Sequence, residues 1–174
     1  ITKMEVWITN KNNNTENTRD IVAFMDLAEY NIYSNALVSQ GTSVYPSNDK
    51  SNNLYGLMNT QYLSARDINN VSQSLDPLAA PPYNFAPQQD YIRLVGARKL
   101  NPNEYNFHPK LGFISLNQAL NSNEVLAVAY EYTIGNEVFT VGDLTTSGVN
   151  APKALFVKLI KSTNINPKLP TWDL

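Results

Sequence analysis

No cysteine occurs anywhere in this sequence, and only one histidine, His108. Without thiols there is no disulfide framework and no thiolate chemistry, although an extracytoplasmic protein can simply avoid cysteine, so the redox compartment stays open. One histidine without cysteine cannot supply the usual zinc or transition-metal ligands. His108 lies in Phe107-His108-Pro109, with no local nucleophile and no G-x-S-x-G elbow around it. It reads as a loop histidine bonded to backbone. No apolar run approaches the ~18 residues of a membrane helix. The seven glycines are scattered singly, which leaves no phosphate cradle.

Charge is also scarce. Charged residues make up 16% of the chain, and the formal net charge is −2. A nucleic-acid binder would show a basic patch, and the lysines and arginines here are dispersed. Asparagine fills the polar gap with 24 positions. A surface solvated by amides and hydroxyls rather than charges suits a secreted or cell-surface protein. The length of 174 residues allows one good core or two small subdomains. The chain opens at Ile1 already alternating and stops at PTWDL, which reads as a segment of a larger protein.

What is present is mostly strand. Residues 105–142 are predicted to form three strands, at 112–116, 125–133 and 137–141, the last two joined at Gly135-Asn136 by a type II′ hairpin turn. That turn sets Tyr132 opposite Phe139 and Tyr130 opposite Val141. Leu126, Val128, Tyr130, Tyr132, Phe139 and Val141 then share a core face. The smaller, more polar face of Ala127, Ala129, Glu131, Val138 and Thr140 is expected to be wet. Residues 1–10 alternate through Met4, Val6 and Ile8 as a first strand. Residues 19–29 fit either a helix or a strand, and are read as the first strand's hairpin partner, with Ile21, Ala23, Met25 and Leu27 on one face.

Residues 30–53 lack a period. Residues 54–75 carry the helical signal, with Ser64 as a cap, Ala65, Ile68, Val71 and Leu75 at helical spacing, and an earlier turn through Leu54, Leu57 and Met58. Four prolines in residues 76–89 predict an extended polyproline-like crossover. Six of the ten tyrosines (Tyr30, Tyr33, Tyr45, Tyr55, Tyr62 and Tyr83) lie in this middle third, either pinning loops or offering a binding face. Residues 90–100 return to strand, and 101–109 read as a turn-rich link. Residues 153–161 form a last strand, with Leu155, Val157 and Leu159 on one side and Lys153, Lys158 and Lys161 toward solvent. Residues 164–174 read as an extended tail. The expected fold is mainly β, one antiparallel β-sandwich-like domain over 1–174: a strand hairpin at 1–29, an irregular and helical insertion with a proline-rich crossover at 30–89, and a β unit at 90–174.

Candidate chemistry is sparse. Paired carboxylates could serve glycoside hydrolysis, but Glu131, beside Thr140, and Asp26 with Glu29 lack an aromatic platform and read as solvated decoration. A calcium site needs spaced oxygen donors, and the Asn-rich stretch 10–17 lacks the acidic residues for one. Asn13 and Asn70 begin N-x-S/T sequons, relevant only in a glycosylating host. No catalytic, cofactor-binding or metal-binding residue is assigned, and no cofactor is expected. Tyr83 and Phe85 in the proline-rich crossover are the candidate partner contact.

The runs KMEVWITN, ENTRDIVAFMDLAE, NPNEYNFHPKLGFISLNQALNSNEVLAVAYEYT, VFTVGDL and the closing PTWDL, in this order, are distinctive. The chain resembles part of the SprA/Sov family, the very large outer-membrane translocons of the type IX secretion system, also needed for gliding motility. The resemblance spans essentially the whole chain and is least in residues 30–53. It implies a giant β-barrel that passes folded cargo bearing a C-terminal secretion signal. Its pore opens sideways toward the membrane and toward partners that include a small cargo-collecting barrel protein and a periplasmic plug. This segment would belong to the soluble, extracytoplasmic part of that assembly, since its strands lack the lipid-facing alternation and aromatic girdles of a barrel wall. Its partners would be the rest of the translocon chain, accessory subunits and secreted cargo, with no nucleic acid and no direct membrane insertion. The resemblance brings no catalytic residues. The reading is a non-catalytic structural or interaction domain; the rival is a free-standing carbohydrate-binding or adhesin-like sandwich, which predicts a flat aromatic row or a calcium site. A sandwich-fold hydrolase would need two carboxylates facing each other in a cleft.

Overall fold

The structure, a computed structural model, describes residues 1–12, 15–32, 36–41 and 46–164. Eight strands are present among them: β1 Lys3–Ile8, β2 Thr18–Phe24, β3 Tyr91–Lys99, β4 Tyr105–His108, β5 Phe113–Leu116, β6 Leu126–Ile134, β7 Glu137–Val141 and β8 Leu155–Lys161. Two short helices, α1 Leu54–Thr60 and α2 Val71–Leu75, and the 3-10 turns Leu63–Arg66 and Asp76–Ala79 lie between β2 and β3. The protein is mainly β, as its alternation predicts.

The main sheet is rolled rather than flat. β1 pairs with β3, β3 with β2, β2 with β8, β8 with β6, and β6 returns to β1. All pairs are antiparallel except β2–β8. The sandwich-like expectation thus takes the form of one sheet closed on itself, with β7 extending outward from β6. β4 and β5 pair only with each other. Closure removes most of the exposed backbone edge that an open sheet would leave.

Its interior holds Trp7, Ile21, Ala23, Met25, Ala97, Ala127, Ala129, Leu155, Val157 and Leu159. Trp7 lies directly opposite Ala127. Four alanines among the lining residues leave room for that one indole, because small barrels fill their lumen by combining large and small side chains. This corrects the expectation for β6. Ala127 and Ala129 are fully buried rather than wet. Leu126 and Val128 are buried too, on the outside, under Tyr105, Ile114 and Leu116 of the β4–β5 hairpin. Only the distal half of β6, from Tyr130 onward, leaves the interior.

Two covers therefore close over the barrel's outer surface. On the β2/β8 side, Val22, Phe24 and Phe156 pack under Leu54, Met58, Ala65, Val71, Leu75, Phe85 and Tyr91. On the β1/β6 side the cover is the β4–β5 hairpin.

Several expectations are revised. β2 is a strand, but not the hairpin partner of β1; β3 lies between them, and β2's other neighbour is β8. It ends at Phe24, so Leu27 leaves the face shared by Ile21, Ala23 and Met25 and joins the outer cluster. The helical stripe of Ala65, Ile68, Val71 and Leu75 is buried as spaced, but Ala65 is on a 3-10 turn, Ile68 in the link after it, and Val71 and Leu75 on a separate short helix. Ser64 caps neither; its hydroxyl pairs with Ser74 at 2.7 Å. Residues 76–89 are compact, with a 3-10 turn and left-handed Asn84 and Gln88, not an extended crossover. Residues 105–108, read as a link, form β4. The β6–β7 register is as expected, Tyr132 facing Phe139 and Tyr130 facing Val141, with Gly135 at φ +60° in the turn. The predicted tail and the PTWDL run lie, from residue 165 on, outside the described residues, as do Asn13, Tyr33 and Tyr45.

Candidate functional site

The most elaborate polar constellation lies where the helical cover meets β8. Arg66, from the 3-10 turn Leu63–Arg66, donates from Nη1 to Asp143 at 2.8 Å and to the Ala154 carbonyl at 3.0 Å. Its Nε and Nη2 donate to Asn59 Oδ1 of α1. The guanidinium stands 4.0 Å above the Phe156 ring, a cation–π contact. Asp143 also accepts from the Tyr55 hydroxyl at 2.6 Å and the Phe156 N–H at 2.7 Å. Burial and the adjoining Asp143 charge push the Tyr55 hydroxyl well above its ordinary range. Every oxygen and nitrogen of this buried pair points at a partner, so the pair joins helix, turn and strand.

Asp49 sits beside it, at the outer edge of β7. Its backbone N–H donates to the Thr140 carbonyl at 2.9 Å, and its carboxylate accepts from the Gly142 N–H at 2.9 Å. Burial, reinforced by the Asp143 charge and opposed by that hydrogen bond, raises it to about 7. A perturbed carboxyl is a reason to look for catalysis. Here its geometry is that of a plug on backbone groups that an edge strand would otherwise leave open.

A second centre surrounds Lys158. Glu29 lies 2.7 Å from its ammonium, which also donates to the Met25 carbonyl. Burial pushes this lysine down, against the pull of Glu29 and Asp26. Asn52 ties the same turn by donating to the carbonyls of Asp26 and Glu29 at 2.6 and 2.7 Å. The expectation that Lys158 decorates solvent is thus wrong, because β8 is flanked on both edges and covered on its outer side. Lys161 likewise turns back, donating to the carbonyls of Asn121, Ser122 and Glu124. Lys153 is exposed as expected.

Among the carboxylates singled out from sequence, Asp26 and Glu29 share the neighbourhood of Lys158, whereas Glu131 is held at the start of β1. Glu131 accepts from Thr2 and Lys3, Glu29 holds Lys158, and Asp26 is buried in the turn after β2. His108 is exposed, accepts from the Leu111 N–H at 3.2 Å and stacks on Phe113. Asn70 donates to Asp67 in a surface turn. Phe85 is fully buried against Tyr91 and Phe24, which removes it as a partner contact; Tyr83 remains exposed. Among the described residues no cluster of three or more His, Cys, Asp or Glu could hold a metal ion.

The outer face of β6–β7 does carry an aromatic row. Tyr130 and Tyr132 lie 6.0 Å apart, and Tyr132 and Phe139 5.4 Å apart. Tyr132 and Phe139 are stacked, so each spends a ring face on the other. A sugar subsite needs those faces free. The Tyr132 hydroxyl also donates to the Ser47 carbonyl, tying the row under residues 46–49.

A cleft of about 170 Å³ opens over Ile8, Leu100, Leu116 and Leu120, rimmed by Arg98 and Glu104; this is below the roughly 300–1,000 Å³ of small-molecule sites. Burial alone would raise Glu104, but the Asn101 N–H and the two-toothed Arg98 grip hold it below its usual range. A wider groove of about 660 Å³ runs past Asp20, Arg66, Asp67 and Lys153. Its Arg66 is committed to Asp143, Asp20 to the Gly96 N–H, and Asp67 to Asn69 and Asn70.

Sequence reasoning missed Arg66, Asp143 and Asp49. Arg66 and Asp143 are 77 residues apart, and no local pattern joins them. No protein-family model matches the chain, and no curated protein matches its sequence. Among the described residues no helix is long and apolar enough to cross a membrane.

Proposed function

We propose that this chain is a non-catalytic structural and interaction module of an outer-membrane protein translocon, of the kind that serves type IX secretion and gliding motility. The observation that carries the non-catalytic part is the use made of buried charge. Arg66 with Asp143 and Lys158 with Glu29 each tie separate segments together, and in the first pair every side-chain polar atom is consumed in doing so. The translocon part rests on the resemblance to the SprA/Sov family, whose longest run builds β4, β5 and β6. In this reading the barrel is a spacer in the soluble, extracytoplasmic portion, held to the rest of the translocon chain, and its exposed loops meet accessory subunits or cargo.

Deleting the segment from the parent protein is expected to block export of cargo bearing the C-terminal secretion signal, with the parent still reaching the outer membrane. Normal export by the deletion strain would sink the reading. The aromatic row on β6–β7 keeps the carbohydrate-binding alternative alive. Specific glycan-array binding by the 174-residue protein, lost in Phe139→Ala, would favour it.

A further inference from the structure

Among the described residues, five of the nine large exposed hydrophobic side chains lie on two hairpin tips. Phe107, Leu111 and Phe113 belong to β4–β5, and Ile134 and Val138 to β6–β7. Leu111 is 71% exposed, Val138 60%, Phe113 53% and Ile134 49%. Both tips lie at the same end of the barrel. The Tyr105 hydroxyl reaches the Met4 carbonyl at 3.5 Å, and the Ile1 nitrogen reaches the Pro109 carbonyl at 3.4 Å. β4 therefore runs antiparallel to β1, as β6 does, since Met4 faces Tyr130 and Thr2 donates to the Glu131 carbonyl at 2.8 Å. Three residues beyond Glu131 bring β6 to Ile134, an advance of about 10 Å. The tips thus project side by side from the end where β1 begins.

We infer that these two tips form a docking surface for the interface of a lipid bilayer, entering its headgroup region without any strand crossing it. The tips belong to two separate hairpins, so a folded partner would have to supply an apolar pocket for each. A second copy of this chain is the competing occupant, since its wide groove is lined by Leu63, Ile68 and Pro152 as well as Asp20, Arg66, Asp67 and Lys153, and sedimentation velocity separates the two. A fluid interface needs no pocket. The order of side chains along each hairpin also matches interfacial depth: aliphatic Leu111 and Ile134 at the turns, then Phe113 and Phe107, then the Tyr132–Phe139 pair further back. The local charges balance. Lys3 pairs with Glu131 at 3.1 Å, and exposed Lys110 is matched by exposed Glu137. Such a surface fits zwitterionic headgroups, and its attachment should be apolar and nearly indifferent to salt. The inference goes beyond the translocon reading and does not depend on it.

The test is flotation of the 174-residue protein with phosphatidylcholine vesicles, with and without added phosphatidylglycerol, at low and high salt. Binding to both compositions is expected, changing by less than about threefold with salt. Leu111→Ser with Phe113→Ser, or Ile134→Ser with Val138→Ser, should each weaken it about tenfold or more. Val95→Ser, which removes an exposed side chain in the middle of β3 and outside both hairpins, should leave it unchanged. Leu111→Trp adds a readout that removes no packing: its emission should shift to the blue when vesicles are added. No flotation, equal loss in Val95→Ser, an unmoved emission band, or binding only to phosphatidylglycerol at low salt would each overturn the inference. So would tip-dependent self-association in sedimentation velocity without vesicle binding.

Discussion

The barrel's two covers solve the same problem with different strength. Over β2 and β8, the helical cover contributes Leu54, Met58, Ala65, Val71, Leu75 and Phe85, all fully buried, and then ties itself down through Arg66 and Asp143. Over β1 and β6, the β4–β5 hairpin contributes buried Tyr105 but only partly buried Ile114 and Leu116, and its remaining residues face solvent. Its ion pair to the sheet is Arg98 with Glu104, itself partly exposed. Complete burial and a fully bonded ion pair make the first cover part of the core. The second is a lid whose outer half is free to meet something else, since regions with few buried apolar contacts open at lower free energy.

The contrast can be broken at its strongest point. Arg66→Ala leaves Asp143 buried with its charge uncompensated, and chemical denaturation should show a loss of about 3–5 kcal/mol. A loss below 1 kcal/mol would mean the helical cover does not depend on this tie. Next come matched truncations in the two covers. Leu75→Ala is expected to cost about 2–5 kcal/mol, and Ile114→Ala, half-buried, about 1 kcal/mol; equal costs would erase the distinction. In native-state amide exchange, β4 and β5 should exchange through local opening while β2, β3 and β8 exchange only with global unfolding.

The smallest expected effect concerns Asp49. Its carboxyl keeps its proton in the folded protein up to about pH 7, against an ordinary value of 3.8. Between those values the folded state binds more protons than the unfolded chain, so stability falls as pH rises and the penalty is complete above about pH 7. Asp49→Asn keeps the acceptor for the Gly142 N–H and removes the charge. Thermal melts should show it more stable than the parent at pH 8, by about 1 kcal/mol for a carboxyl screened by solvent, and without that advantage near pH 4. An equal gain at both pH values would assign the effect to something other than titration.

Alternation made much of the fold legible. Met4, Val6 and Ile8 mark β1, the Gly135-Asn136 turn sets the β6–β7 register, and Leu155, Val157 and Leu159 share one side of β8. β4 was hidden because asparagine and proline surround Tyr105 and Phe107, and only pairing with β5 makes a strand of them. The covered state of Lys158 was hidden for a different reason. A lysine between Val157 and Leu159 looks like solvent-side decoration until a turn 129 to 133 residues earlier supplies Met25's carbonyl and Glu29. Phe85 misled because a proline-rich setting suggests exposure, whereas the chain folds it onto Tyr91.

By itself the sequence determined the fold class and which residues of a strand share a side, because a period of two and a glycine turn act over a few residues. It also determined which chemistries have no ligands here, since zinc and thiolate sites need residue types the chain lacks. Tertiary structure decided which strands are neighbours, that the sheet closes on itself, and that Ala127 and Ala129 face Trp7 inside. It likewise decided where Arg66, Asp49 and Asp143 meet. Those outcomes depend on segments brought together from far along the chain, and no local pattern encodes such distances.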